Sequence, residues 1–223
     1  MNKGLLYKGM ILIFALLLIT TIALGCTAKQ PEPPVPIPSP TPAPPAPPTP
    51  TVEERDISLY MPMKVGYIWE YEGEGNEYAS YILSVGYEEE NRYQLTRDNG
   101  GTVIADIYEI REDSIVHVYM SGESYDQTNL LNQQNNLEDI VLKLPLEVGN
   151  KWVSEENSYE IIDTKATVIV PYGAFNDCVV VRRTYKDGSE EYMNYKEGVG
   201  MLQSEFRTGD FSVFSRLKSF SSK

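Results

Sequence analysis

One eight-residue motif occurs twice in this chain and constrains its fold more than any other feature. Residues 62–69 read PMKVGYIW and residues 145–152 read PLEVGNKW, at a constant offset of 83 residues, and the two copies contain both tryptophans. In each copy the proline ends an extended segment, the glycine permits a turn with positive φ, and the tryptophan begins a strand and buries its ring. The repeat predicts two related halves of about 80 residues, residues 60–143 and 144–223.

The spacing inside the motif also predicts which side chains share a face. Positions two apart in an extended chain point to the same side. We therefore expect Met63 to share a face with Val65, and Leu146 with Val148. Both tryptophans are expected in the core, and the alternative is that they line a ligand cleft.

The chain from residue 55 onward is a series of short β-prone segments separated by turn signals. It is rich in tyrosine, valine and isoleucine, and no segment keeps a helical apolar period over three turns. Residues 98–101 and 186–189 predict hairpin turns, and the polar residues 122–137 predict a long loop. The fold class is therefore mainly β, an antiparallel curled sheet that forms a half-barrel or a sandwich. Strands are expected at 69–72, 78–85, 93–96, 102–110, 114–120, 140–146, 159–170, 178–185, 192–195, 201–206 and 211–220.

The first 25 residues have the pattern of a lipoprotein signal peptide. Lys3 and Lys8 precede an apolar run that is too short for a membrane-spanning helix of about 20 residues. Residues 22–26 read IALGC and occupy the place of a lipobox, with the leucine one position later than is usual. We expect cleavage before Cys26 and a diacylglyceryl group on its thiol, and the alternative is an uncleaved anchor helix. Either would attach the protein to the cell membrane on its extracytoplasmic face.

The lipid and the residues after it set where the protein resides and how far it reaches. Two or more acyl chains give stable membrane attachment where one does not. Thr27, in place of an aspartate, permits outer-membrane sorting in a cell with two membranes. Residues 26–54 form a proline-rich linker, with twelve prolines among residues 31–50. Such a tract predicts an extended polyproline spacer, and the alternative is a ligand for a proline-recognising domain.

Charge excludes some partners. The net charge is −13, and the predicted signal peptide contains two lysines and no acid, so the remaining chain is more acidic still. Nucleic acid is therefore not expected as a partner, because phosphate binding needs clustered lysine and arginine. An anionic lipid surface would likewise repel the domain.

The sequence does not predict a catalytic or metal site. The single histidine, His117, lies in a strand-like run, where alternation places it on one face with Ile115 and Tyr119 and predicts hydrogen-bonded partners. Cys178 lies in another such run and is expected to be a small buried residue. We expect no cofactor and no enzymatic activity. An enzyme would need His117 beside a carboxylate, or two carboxylates, in a cleft.

Four motifs resemble a group of uncharacterised bacterial lipoproteins. They are Y-x-P-[LM]-x-x-G-x-x-W-x-Y at Tyr60–Tyr71, P-L-x-x-G-x-x-W at Pro145–Trp152, P-x-G-x-F-x-x-[CV]-x-x-V at Pro171–Val181, and Y-x-x-G-V-G-x-[LV] at Tyr195–Leu202. The resemblance implies an anchored envelope protein and no assigned activity. A weaker analogy, in fold class alone, is to half-barrel carriers of lipid or lipoprotein.

Three functions follow as hypotheses. The first is a non-catalytic β-rich binding or interaction domain on a proline stalk, whose partner is an envelope protein, another envelope component or a hydrophobic small molecule. The second is a carrier of a hydrophobic ligand, which requires a cavity of several hundred Å³ inside the sheet. The third and least favoured is an envelope hydrolase.

Overall fold

The computed structural model of the protein describes residues 56–222. The predicted signal peptide 1–25, the predicted lipidation site Cys26 and the predicted linker 26–54 lie outside the described residues. Within residues 56–222, helix is confined to one 3₁₀ turn at Ile57–Tyr60. That part of the chain therefore contains no helix long and apolar enough to cross a membrane.

Twelve strands form one antiparallel sheet in the order β6-β5-β4-β3-β2-β1-β12-β11-β10-β9-β8-β7. The strands are β1 Tyr67–Glu74, β2 Tyr81–Glu89, β3 Arg92–Asp98, β4 Val103–Ile110, β5 Ser114–Ser121, β6 Asp139–Lys143, β7 Lys151–Ser154, β8 Asn157–Val170, β9 Gly173–Thr184, β10 Glu190–Lys196, β11 Gly200–Thr208 and β12 Phe211–Ser222.

The predicted fold class is confirmed. Strands β1–β6 and β7–β12 are two consecutive six-stranded meanders, and they join where β1 pairs with β12. The sheet curls until β6 lies beside β7, so that it forms a nearly closed barrel. The curl follows from the right-handed twist of the strands and from bulges at several registers.

Several predicted strand boundaries were wrong. Strand β2 runs from Tyr81 to Glu89 and not over residues 78–85, and β7 was not among the expected strands. Strand β6 ends at Lys143 and not at residue 146, because Pro145 has no N–H to donate to a neighbouring strand. Strand β9 begins at Gly173, five residues before the predicted start. The reason is that residues 171–172 make a tight turn, so β9 pairs with β8 from its first residue.

The repeated motif folds in the same way in both halves. Gly66 and Gly149 each have φ of +91°, the left-handed region that favours glycine. The N–H of Tyr67 donates to the carbonyl of Lys64 at 3.0 Å, and the N–H of Asn150 donates to the carbonyl of Glu147 at 3.1 Å. These two bonds are equivalent at the same offset of 83 residues, so the sequence repeat is also a structural repeat.

The predicted faces within the motif were wrong. Met63 and Leu146 are buried, but Val65 and Val148 are 48% and 63% exposed. The chain is already turning at the valine, so it is not extended there and alternation does not apply. The tryptophans are buried as expected, and Trp69 also lines the cavity described below.

The sheet buries apolar side chains on both of its faces. The main core lies inside the curl, and a smaller cluster on the outer face consists of Ile107, Val116, Val118 and Leu131. Loop residues 122–138 cover this outer cluster. Gln94 fixes the loop, since its side chain donates to the carbonyl of Thr128 at 2.8 Å and accepts from the N–H of Leu130 at 2.6 Å. The predicted long loop is therefore packed against the sheet.

Candidate ligand-binding cavity

The curled sheet encloses a cavity of about 760 Å³ between its two halves. Strands of both meanders contribute to its wall, which combines aromatic, aliphatic and methionine side chains with a small number of charged ones. The apolar part of the wall includes Met61, Met63, Trp69, Leu83, Leu95, Ile104, Val141, Met193, Met201, Phe206 and Val213.

One end of the cavity is closed by the first described residues. The 3₁₀ helix buries Ile57 and Tyr60 in the main core. The carbonyl of Leu59 accepts a hydrogen bond from the N–H of Gly198 at 2.7 Å, which ties this helix to the turn between β10 and β11. Met61 then lines the cavity directly.

The other end of the cavity reaches the surface. Its lining there includes Asn76 and Tyr78 from the turn after β1, Met120 from β5 and Glu155 from the turn after β7, and all four are exposed. These turns lie at the end of the sheet opposite the 3₁₀ helix, because neighbouring strands are antiparallel. A ligand would enter at this rim.

A first polar cluster, Arg97, Asp106 and His117, lies on the cavity wall of the first half. Arg97 donates to both carboxylate oxygens of Asp106, at 3.1 Å from Nε and 3.3 Å from Nη2. His117 Nε2 lies 3.1 Å from Asp106 Oδ1, the oxygen that Arg97 Nη2 also contacts. Burial would raise the pKa of Asp106, but His117 and Arg97 together lower it below its usual range.

A bulge explains why His117 and Tyr119 do not share a face, which corrects the expectation from alternation. The register between β4 and β5 shifts between Ile107 and Tyr108. Tyr119 therefore lies opposite Ile107 and packs on the outer cluster, while His117 stacks on Tyr108 inside, with ring centroids 4.6 Å apart. Ile115 does belong to the inner core with His117.

A second polar cluster, Asp139, Tyr159 and Arg183, lies where β6 of the first half meets β8 and β9 of the second, and Asp139 and Arg183 line the cavity. Arg183 Nη2 is 3.2 Å from Asp139 Oδ2, and the Tyr159 hydroxyl donates to the same carboxylate at 2.7 Å. The Arg183 guanidinium also lies over the ring of Tyr185, 4.5 Å from its centroid. Each half of the sheet thus directs an arginine of its third strand, Arg97 or Arg183, toward the cavity.

Glu191 is the remaining carboxylate on the inner wall, on β10. Its carboxylate accepts a hydrogen bond from the Tyr185 hydroxyl at 2.6 Å. No lysine, arginine or histidine of the described residues lies within ion-pair distance of Glu191, because the nearby Arg183 pairs with Asp139 and Arg182 pairs with Glu160 and Glu190. Glu191 is thus a carboxylate at the cavity with a hydroxyl partner alone.

Buried tyrosines complete the polar part of the wall. Burial raises the pKa of Tyr71, Tyr81, Tyr108 and Tyr195, so these phenols stay neutral at physiological pH. The Tyr71 hydroxyl donates to the carbonyl of Met201 at 2.8 Å. Tyr81 stacks on Tyr71 with ring centroids 4.6 Å apart. A neutral phenol can donate to or accept from a ligand.

The charged residues of the wall could not be identified from the sequence. Asp106 lies between apolar neighbours and Arg97 between Thr96 and Asp98, and both arrangements are equally typical of side chains that face water. One signal was present: Arg97 and Arg183 are each the next-to-last residue of the third strand of their half. This equivalence becomes visible only when the two halves are aligned by the ends of their strands, because the turn after β3 and the turn after β9 differ in length.

Cys178 is buried in the inner core, as expected for a small apolar residue. Burial raises the pKa of its thiol, which disfavours the reactive thiolate. Residues 56–222 also hold no group of three or more histidine, cysteine or acidic side chains placed to bind a metal ion.

Comparison with known proteins gives structural similarity alone. No protein-family model matches the chain, and no curated protein matches it. A crystal structure of a protein proposed to be exported, with a YmcC-like fold, from Bacteroides fragilis is similar at a TM-score of 0.42 and 13% identity, over 72% of this chain and 97% of that one. A crystal structure of a proposed lipoprotein from Parabacteroides distasonis is similar at a TM-score of 0.42 and 10% identity, over 75% of this chain and 100% of that one.

Proposed function

We propose that this protein is a lipid-anchored extracytoplasmic binding protein, and that its β domain takes a small, largely apolar ligand into the curled sheet. The cavity of about 760 Å³ carries this proposal. Protein interiors are normally close-packed, with few voids larger than a water molecule, whereas small-molecule sites measure about 300–1,000 Å³. Among the hypotheses from the sequence, a cavity of this size favours the carrier of a hydrophobic ligand.

The N-terminal sequence supports the anchored part of the proposal. The charged start, the short apolar run and Cys26 follow the order of a lipoprotein signal peptide, and the proline-rich linker 26–54 separates the thiol from the domain. The binding domain would then be held outside the cytoplasm, away from the lipid surface. Its high negative charge supports the same arrangement, because an anionic surface repels it.

The polar clusters support binding without catalysis. Asp106 is held by Arg97, and Asp139 is held by Arg183 and Tyr159, so each of these two carboxylates already has protein partners. Groups fixed in this way suit the orientation of a ligand, while a general base needs a free lone pair aimed at the substrate.

An envelope hydrolase is a second candidate, because the fold brings His117 beside Asp106 at the cavity, the arrangement that an enzyme would require. Hydrolysis of 4-nitrophenyl esters by the purified protein tests it. Activity that is lost in His117→Ala but kept in Cys178→Ser would favour the hydrolase over the binding protein.

Native mass spectrometry of the full-length protein, extracted from its own cells in two different detergents, tests the cavity. We expect a retained small molecule of the same mass in both detergents. Ser204→Trp fills the cavity from β11 and should lose this mass, while Gln203→Trp, on the opposite face of the same strand, should keep it. Retention by both variants would place the ligand elsewhere and contradict the proposal.

Metabolic labelling with palmitate tests the anchor. The wild-type protein should incorporate label, Cys26→Ser should not, and Cys178→Ser, which removes the other cysteine, should label normally. Equal labelling of wild type and Cys26→Ser would contradict the lipid-anchored part of the proposal and leave the cavity to be judged by the mass measurement.

A further inference from the structure

The charges that face the cavity do not cancel. Arg97 and Arg183 are the two arginines of the lining, and they face three carboxylates from Asp106, Asp139 and Glu191, while a fourth carboxylate, Glu155, is exposed at the rim. The first two carboxylates contact the arginines directly, while Glu191 has the Tyr185 hydroxyl as its partner. Apart from Glu155 at the rim, the arginines and carboxylates of the wall therefore carry one more negative than positive charge.

The position of Glu191 concentrates this charge at one place. The Tyr185 hydroxyl donates to Glu191 at 2.6 Å, and Phe206 lies directly opposite Glu191 on β11. All three side chains line the cavity. Arg183 lies directly across the ladder from Glu191, but its guanidinium covers the Tyr185 ring and pairs with Asp139. The faces of aromatic rings attract cations, and Phe206 supplies a ring beside Glu191. A carboxylate without an ion-pair partner, next to an aromatic ring, is the kind of site that recognises an ammonium group.

Energetics favours a ligand that supplies the missing cation. Removing a carboxylate from water is costly unless an opposite charge or several hydrogen bonds replace the lost hydration. One hydrogen bond from Tyr185 replaces a part of that hydration. An anionic ligand would instead add repulsion at Glu191, and a neutral one would leave this carboxylate as it is.

We propose that the cavity selects small molecules that have an amino or ammonium group, placed beside Glu191 and Phe206, and an apolar remainder. The apolar remainder would lie against Trp69 and Met193, which line the same space. This inference rests on the proposed function, because it assigns a ligand class to the same cavity.

Three dansyl compounds that share a fluorophore and differ in charge test the inference. Dansylcadaverine is cationic, dansylamide is neutral and dansylglycine is anionic. Binding to the full-length protein in a non-ionic amphipol is followed by energy transfer from tryptophan, because Trp69 lines the cavity. We expect dansylcadaverine to bind about tenfold more tightly than dansylamide, and dansylglycine to bind most weakly.

Two matched variants test whether Glu191 causes the preference for the cationic probe. Glu191→Gln removes the inward charge and should bring dansylcadaverine and dansylamide to within about twofold of each other. Glu190→Gln removes the same charge from the adjacent, outward residue, which contacts Arg182 and Tyr192, and should keep the tenfold preference. Equal loss in both variants would mean that net charge alone, and not Glu191, attracts the cation, which overturns the inference.

The ranking of the three probes on the unchanged protein is decisive even if Glu191→Gln does not fold. Dansylglycine or dansylamide binding as tightly as dansylcadaverine would overturn the inferred ligand class and leave the binding cavity supported. Energy transfer with none of the probes, even at saturating concentration, would contradict the proposed function itself, and the inference would fall with it.

Discussion

The two halves of the sheet meet at two junctions, and the junctions are built differently. At the first, all eight residues of β1 pair with β12, from Tyr67 opposite Ser222 to Glu74 opposite Phe214. At the second, β6 and β7 are the two shortest strands, with five and four residues, and within the described chain they share no backbone ladder.

Side chains hold the second junction together. Ser154 Oγ accepts from the N–H of Ile140 at 2.6 Å and donates to the carbonyl of Glu138 at 3.0 Å. The Trp152 indole N–H donates to the carbonyl of Ile140 at 2.8 Å, and Glu155 accepts from the N–H of Glu138 at 2.7 Å. A junction made by a few side chains opens at a lower free-energy cost than a full ladder.

The difference shows how a duplicated meander can keep a cavity accessible. Closing both junctions with ladders would give a sealed barrel without edges. Here the weaker junction borders the cavity, because Leu137, Asp139 and Glu155 belong to its lining. We therefore expect the β6–β7 junction to open first and the β1–β12 junction to hold until the domain unfolds.

The largest effect is expected from Leu217→Ala at the strong junction. Leu217 is 0% exposed and lies opposite Tyr71 across the β1–β12 ladder. Its truncation leaves a cavity in the main core and should lower the free energy of unfolding by about 2–5 kcal/mol in chemical denaturation. The matched change Val153→Ala on β7, where the side chain is 73% exposed, should stay within about 0.5 kcal/mol. Similar losses of unfolding free energy in both variants would contradict the expected difference between the two junctions.

Low pH should lower the stability of the sheet between the junctions, because it protonates Asp106. Because Arg97 and His117 lower the pKa of this carboxyl in the folded protein, its contribution is present above the unfolded pKa, about 3.9, and is lost as pH falls through the folded value. Asp106→Asn should therefore cost about 1.5–3 kcal/mol at pH 7, the range for a charged hydrogen bond. The difference from wild type should shrink below about pH 4, measured by urea unfolding at several pH values. If the difference in unfolding free energy between wild type and Asp106→Asn does not change with pH, the ionisation of Asp106 is not its cause.

Ser154→Ala tests the weak junction directly. It leaves the N–H of Ile140 and the carbonyl of Glu138 without their partner, which costs about 1–3 kcal/mol for buried groups. The loss should appear as faster hydrogen exchange in β6 and β7, with exchange in β1 and β12 unchanged. Ser158→Ala, at an exposed serine on β8, is the control and should change neither region. Uniformly faster exchange throughout the sheet would show that both junctions open together.

The sequence predicted the fold class because that information is local. Alternating segments, turn residues and a motif repeated at a constant offset are each readable from neighbouring residues, and the sheet is the antiparallel one they indicate. Errors occurred where one residue changes the phase of alternation. The turn exposes Val65, and a bulge moves Tyr119 to the outer face away from His117.

The cavity and its polar clusters could not be read in this way because they depend on curvature. The same strand positions place Arg97 and Asp106 in water on a flat sheet and in an interior on a closed one. Whether the enclosed side chains fill that interior depends on all twelve strands at once. The pairing of Arg183 with Asp139 joins β9 to β6, which are not neighbours in the sheet.

The smallest effects are expected from the two equivalent glycines, and they compare the junctions under one identical change. Gly66 precedes β1 and Gly149 precedes β7, both at φ of +91°, where alanine is strained by about 1 kcal/mol. At Gly149 an added Cβ would meet no atom within 4 Å, so strain is the whole expected cost there. Gly149→Ala should speed hydrogen exchange mainly in β6 and β7, whereas Gly66→Ala should act on global unfolding, because β1 is held by its full ladder. If Gly149→Ala instead lowers protection equally in β1 and β12, the two junctions form one cooperative unit and the weak junction cannot serve as a separate opening.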